Sequence, residues 1–183
     1  MTQGYVGTKT RQIATAANTS ESGVFRYFDN KYALLIAVYN QAWARLNENV
    51  DAALVEMDGC SAVQKLKEIV SQYWRLYETD PQSATFILIN TGNTDSLLVD
   101  HQEEATISEQ NLRYLEKIEL LCREAVSHGL VTGLSARALA EGLFGISEGV
   151  LLGWYLHDRG PADTYETKIT FSEATALLDK LLA

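Results

Sequence analysis

RQIATAANTSESGVFRYFDNK, residues 11–31, is the stretch whose reading decides how this chain is built. It holds two short helix-forming runs separated by Asn18-Thr19-Ser20, residues that favour caps and turns over helix interiors because their side chains compete for backbone groups. The spacing predicts one helix over Thr10–Ala17, with Ile13, Ala14 and Ala17 turned inward. Ser20 then caps a second helix over Glu21–Phe28, where Glu21 suits the positive end of the helix dipole. Asp29-Asn30 breaks the chain again before a long helix opens at Lys31. Two short helices, a three-residue turn and alanines small enough to let them cross predict a helix-turn-helix.

Outward from this hairpin the apolar residues recur at helical spacing. Leu35, Val38, Ala42, Leu46, Val50 and Leu54 predict a helix over residues 31–57, and Val63, Leu66, Val70, Tyr73 and Tyr77 another over 61–79. Gly59 and Ser61 between them offer a stop and an N-cap. Pro81 suits the first turn of a short helix over 81–90, and a longer tract is expected over 95–128. Ser135 opens a helix over 135–157 with Leu139, Leu143, Ile146, Val150 and Trp154 on one stripe. Residues 158–169 read as a loop, and residues 171–182 as a final helix carrying Phe171, Ala174, Leu178 and Leu181. No strand alternation or internal repeat is present. The fold class is all-α, divided into a DNA-binding segment over residues 1–45 and a helical body over 46–183.

Charge is unevenly distributed. The chain carries −9 in total, yet residues 1–45 hold five basic and two acidic side chains, a net of +3, which leaves −12 for the remainder. A locally basic end can meet phosphates while an acidic body stays clear of the duplex. With no run of about 18 uncharged apolar residues and no leader pattern, neither a membrane partner nor export is expected, and the expected location is the cytoplasm. Cys60 and Cys122 form neither a disulfide framework nor a metal spacing. Asp100-His101-Gln102-Glu103-Glu104 holds potential metal ligands, but an acidic run near a helix start is expected to be solvated, and His128 near a helix end answers the dipole. No Walker loop, GxGxxG or Ser-His-Asp set is present, so no cofactor, metal site or catalytic residue is assigned.

The outer face of the second short helix carries Ser22, Gly23, Arg26 and Tyr27, small or hydrogen-bonding residues that suit approach to the major-groove floor. Lys31 opens a helix where its charge opposes the dipole, which makes better sense with a phosphate opposite it. A plain helical hairpin with a solvated face would share these features.

Gly4-Tyr5, Thr8, Ile13-Ala14, Ser20, Phe25-Arg26-Tyr27-Phe28, Lys31 and Leu34-Leu35 together resemble the N-terminal domain of the tetracycline-repressor (TetR) family. The resemblance covers about a fifth of the chain. It implies phosphate contacts at Thr8, Tyr27 and Lys31, base reading at Ser20, Glu21, Ser22, Gly23 and Phe25, and a core position at Phe28. Two residues depart from the family pattern: Ser22-Gly23 replaces a Gly-Thr pair, and Phe25 stands where tyrosine is common. Phe25 offers apolar contact only, such as with a thymine methyl. The resemblance further implies a homodimeric regulator of operator DNA, with repression as the sign and release by a small-molecule effector. An all-α carrier or enzyme with a structural hairpin is the alternative.

The resemblance also implies a full helix ahead of Gly4-Tyr5. Only Met1-Thr2-Gln3 precede that pair, so the natural product is expected to continue upstream by roughly 10–25 residues, the length of such a helix.

For the body, the family places dimerisation in the last two helices, and both are apolar around much of their circumference. Gly142, Gly145, Gly149 and Gly153 flatten one side of the first of them, which suits close helix contact, within one subunit or between two. The expected interface residues are Leu143, Ile146, Val150, Trp154, Leu178 and Leu181. Effector candidates are Tyr73, Trp74, Tyr77, Phe86 and Phe144, aromatics that line apolar cavities and ordinary cores alike. Glu119 falls on the stripe Leu112, Leu115, Cys122, Val126 and suits either a cationic or hydroxylated ligand or a pair with Arg123. Glu148, between Phe144 and Leu151-Leu152, is the second carboxylate candidate.

Overall fold

A computed structural model of the chain describes residues 4–92, 109–159 and 168–182. The described residues are helical and contain no strand. Four helices lead from the N-terminus: α1 (Gly4–Gly7), α2 (Thr10–Ala16), α3 (Glu21–Phe25) and the 25-residue α4 (Lys31–Val55). The body adds α5 (Ala62–Thr79), α6 (Pro81–Gly92), α7 (Glu109–Ser127), α8 (Ala136–Arg159) and α9 (Phe171–Leu181).

Local chemistry sets most helix starts. Ser20 accepts a hydrogen bond from the Gly23 N–H at 3.0 Å, and Asn30 accepts one from the Ala33 N–H at 2.8 Å. Ser61 with Gln64, and Thr170 with Glu173, form reciprocal capping boxes that satisfy backbone N–H groups the helix itself leaves unpaired. Gly59 adopts φ +79° between α4 and α5, a conformation glycine takes without a Cβ penalty.

Helix α5 lies at the centre, packed against α4, α6, α7, α8 and α9. Leu66, Ile69, Val70, Tyr73 and Trp74 along it are fully buried. Burial of such side chains contributes about 1.5–3 kcal/mol each, so this helix anchors the core.

The inward faces of two helices differ from the sequence expectation. On α4 the buried residues are Tyr39, Ala42, Trp43, Leu46, Asn47 and Val50, while Val38 is 43% exposed. On α7 they are Asn111, Tyr114, Ile118, Leu121, Cys122 and Ala125, while Leu112 is 44% exposed. Aromatic residues one position from the expected stripe supply more apolar area, so the helices rotate to bury them. Helix α3 ends at Phe25 rather than Phe28, although the N–H groups of Tyr27 and Phe28 still bond the Val24 carbonyl. Ala17 caps α2 from the exposed side instead of facing inward. Helix α8 continues through Arg159, into what the sequence presented as loop. Residues 100–104, the acidic run, and the first part of the expected 95–128 tract lie outside the described residues.

Candidate functional site

Helices α2 and α3 pack on each other through buried Ala14 and Val24. The turn between them is closed by the Thr19 N–H donating to the Ala14 carbonyl at 2.9 Å, with Asn18 at φ +52°. Asparagine tolerates this left-handed conformation better than most residues. Gly23 sits close to the turn: a Cβ there would lie 2.4 Å from the Thr19 hydroxyl oxygen, which would have to move.

With Val24 turned inward, Ser20, Glu21, Ser22, Phe25, Arg26 and Tyr27 form an exposed face. Phe25 is 46% and Tyr27 72% exposed, a large apolar area to leave in water on so small a helix. The Arg26 guanidinium donates to the Tyr27 hydroxyl at 2.8 Å and lies over its ring, which holds both side chains out from the hairpin. Thr8 and Lys31 are part-buried. The Lys31 ammonium donates to the carbonyls of Tyr5 and Thr8, so two backbone acceptors answer the charge that the sequence left facing a helix N-terminus.

In the body the aromatic candidates separate into two groups. Trp74 and Tyr77 join Trp154 and Phe171 in a satisfied core: Trp74 Nε1 donates to the Ser147 carbonyl at 3.3 Å and Tyr77 Oη to Asp158 at 3.0 Å. Phe144 packs part-buried against the same core, and Phe86 stacks near Tyr39. Tyr73 and Glu148 meet directly, the tyrosine hydroxyl donating to Glu148 Oε1 at 2.8 Å.

Around that bond stand two residues the sequence reading passed over, Trp43 and Tyr114. Ring centres lie 5.3 Å apart for Trp43–Tyr114 and 6.0 Å for both Trp43–Tyr73 and Tyr73–Tyr114. The signal was present, because Tyr39, Trp43, Leu46 and Val50 have the same three-and-four spacing as the stripe chosen instead. Burial lifts the Glu148 carboxyl from 4.5 to about 7, against the opposing pull of the Tyr73 hydrogen bond. Burial and the neighbouring Glu148 charge likewise raise the Tyr73 and Tyr114 hydroxyls.

Glu119 stands apart from this cluster. Its half-exposed side chain pairs with Arg123 at 2.6 Å, and it looked misplaced only because the α7 stripe was read off register.

The expected dimer residues also divide. Leu143, Val150, Trp154 and Leu178 are buried within the subunit, and Ile146 packs part-buried on the core. Only Leu181 of that set is exposed, at 51%. The opposite side of α8 is the open one: a Cβ added at Gly142, Gly145, Gly149 or Gly153 would meet nothing within 4 Å. Leu152 on α8 and Leu177 on α9 are exposed as well.

Residues 1–38, the hairpin and the start of α4, match the family model of the bacterial regulatory proteins of the tetR family. The match is confined to the N-terminal fifth of the chain. It is 29% identical over 134 residues to the HTH-type transcriptional repressor NicS of Pseudomonas putida, an alignment spanning 72% of this chain and 58% of that repressor. The matched stretch is thus less than two thirds of that relative's length. The fold of this chain is shared with the transcriptional regulator FadR from Bacillus subtilis in complex with stearoyl-CoA, at a TM-score of 0.71 and 18% identity, over 99% of this chain and 90% of that one. It is also shared with AibR in complex with isovaleryl coenzyme A and operator DNA, at a TM-score of 0.63 and 16% identity, over 98% and 90%. No helix among the described residues is long and apolar enough to cross a membrane.

Proposed function

We propose that this chain is a TetR-family, ligand-responsive transcriptional repressor that binds operator DNA as a homodimer. The observation that carries the reading is the Ser20-capped hairpin, which keeps Ser22, Phe25, Arg26 and Tyr27 exposed at the head of the helix leading into the body. Ser20, Glu21, Ser22, Gly23 and Phe25 serve base reading, with Arg26 beside them, while Thr8, Tyr27 and Lys31 serve the phosphate side. Helix α4 runs unbroken past residue 45, so the division into a DNA-binding segment and a body at 45/46 is one of role along a single helix.

The open glycine face of α8 with Leu152, and Leu177 and Leu181 on α9, supply the surface for a second copy. Two recognition helices must lie about 34 Å apart to enter successive major grooves. An effector bound in the body releases the operator by favouring a subunit arrangement with another spacing. The family likeness to regulators solved with acyl-CoA thioesters supports a small-molecule effector.

Binding to duplexes selected from random sequence, followed by fluorescence anisotropy across a salt series, tests the reading. Affinity should fall steeply with salt. A chain that ignores duplex DNA at low salt would be a carrier or enzyme with a structural hairpin.

A further inference from the structure

The polar content of the Trp43–Tyr73–Tyr114 cluster is not closed among the described residues. Trp43 Nε1 and Tyr114 Oη are fully buried and have no hydrogen-bond partner among the described residues. Among the described residues Glu148 has one, the Tyr73 hydroxyl on Oε1, and no cationic side chain there is paired with it. A buried donor left unmade loses its hydration without replacement, and native proteins rarely retain such groups without a partner. Tryptophan can only donate, so the Trp43 N–H requires an acceptor.

We propose that these residues form the polar end of the effector site and that it takes an uncharged ligand headed by an acceptor oxygen, a carbonyl. This rests on the reading of the chain as a ligand-responsive regulator and adds the class of ligand. The carbonyl oxygen accepts from Trp43 Nε1 and Tyr114 Oη, and the apolar remainder lies among the rings. A protonated Glu148 keeps Oε1 for the Tyr73 hydroxyl and donates from Oε2.

An anionic head would meet the Glu148 carboxylate with no cation in the cluster to offset it. A cation would pair with Glu148 and could lie against the rings or donate to Tyr114 Oη, but it would leave the donor-only Trp43 N–H without an acceptor. Trp43 also explains how such a ligand is sensed. It sits on α4 twelve residues, about 18 Å, from Lys31 at the start of the same helix.

The titratable groups facing Glu148 are Tyr73 from α5 and Tyr114 from α7, with Tyr39 of α4 behind Tyr73. Helix α6, which also packs on α8, carries no titratable side chain. A carbonyl ligand that needs the protonated carboxyl should therefore bind tighter at low pH. A cation should show the reverse.

Calorimetry on the full chain without DNA tests this with benzamide and octanamide, the matched anions benzoate and octanoate, and the cations benzylammonium and octylammonium. An amide should bind about tenfold tighter at pH 6 than at pH 8. Glu148→Gln, whose amide mimics the protonated acid, should keep binding and lose the pH dependence. Tyr114→Phe should weaken the amide about fivefold, one hydrogen bond's worth, while leaving the thermal midpoint unchanged or higher because it removes an unmade buried hydroxyl. Trp43→Phe, checked by circular dichroism, should weaken it similarly. Binding of the cations alone, no binding of either amide, or amide binding indifferent to Tyr114→Phe and Trp43→Phe would each overturn the inference. Operator binding by the same preparation is measured in parallel: DNA binding without amide binding sinks this site and leaves the regulator intact, whereas loss of DNA binding sinks the reading beneath it.

Discussion

The ammonium of Lys31 lies 2.7 Å from the carbonyl oxygen of Tyr5 and 4.1 Å from the centre of its ring, with the Thr8 carbonyl 3.0 Å away. One side chain at the head of α4 thus ties down the corner between α1 and α2. Charged hydrogen bonds are worth about 1.5–3 kcal/mol. Lys31→Met should accordingly speed amide exchange across Thr10–Ala16 by about tenfold in the DNA-free protein. A phosphate contact by the remaining N–H would add a separate signature, a salt slope of operator binding lower by about one. Unchanged exchange with a lowered slope would assign Lys31 to phosphate alone.

Gly23 and Thr19 are coupled by contact. In Gly23→Ala the new methyl meets the Thr19 hydroxyl oxygen at 2.4 Å, so the threonine must leave its rotamer at a cost of about 1 kcal/mol. Operator affinity should fall about fivefold, because the turn opens and the base-reading residues around Gly23 shift with it. Thr19→Ala added to Gly23→Ala should recover most of that loss, a non-additivity that a double-mutant cycle reads directly. Ser22→Ala, whose side chain is exposed, should instead change which operator is preferred.

The exposed apolar side of α8 and α9 should carry the dimer. Leu177→Glu with Leu181→Glu places carboxylates on that side without entering the core. Sedimentation should show a monomer with native helicity and weakened operator binding. Leu178→Glu is the contrasting variant: Leu178 is 1% exposed inside the subunit, so it should unfold the chain instead of dissociating it. A dimer that survives the double substitution would place the interface elsewhere.

Glu148 makes stability depend on pH in a definite direction. Its carboxyl moves from 4.5 to about 7 on folding, so between those values the folded chain holds a proton that the unfolded chain has released. Stability from this group is full below pH 4.5, falls as pH rises through the window, and levels off above 7, a loss of about 3 kcal/mol. Glu148→Gln carries no such titration. Denaturant unfolding of the two proteins should give curves that converge near pH 4.5 and separate above it, the variant being the more stable at pH 8. Parallel curves would mean that Glu148 is solvated.

What the sequence determined by itself was whatever depends on neighbours three or four residues apart. The all-α class, the turn at Asn18–Ser20 and the helix starts at Ser20 and Ser61 are of this kind. Each helix start rests on a backbone N–H of the first turn donating to the capping side chain. Tertiary packing decided which apolar face turned inward, because α4, α7 and α8 each offer more than one. Val38 and Tyr39 are adjacent and both apolar, and only the rings of Trp43, Tyr73 and Tyr114 meeting across three helices select Tyr39. The α8 stripe of Leu143, Val150 and Trp154 was legible as a stripe, but its destination was not. Its own core takes it, which leaves the glycine side facing outward. The polar cluster lay furthest from reach. Glu148 meets a tyrosine 75 residues away, and the burial that shifts its charge exists only once the helices carrying the two have packed.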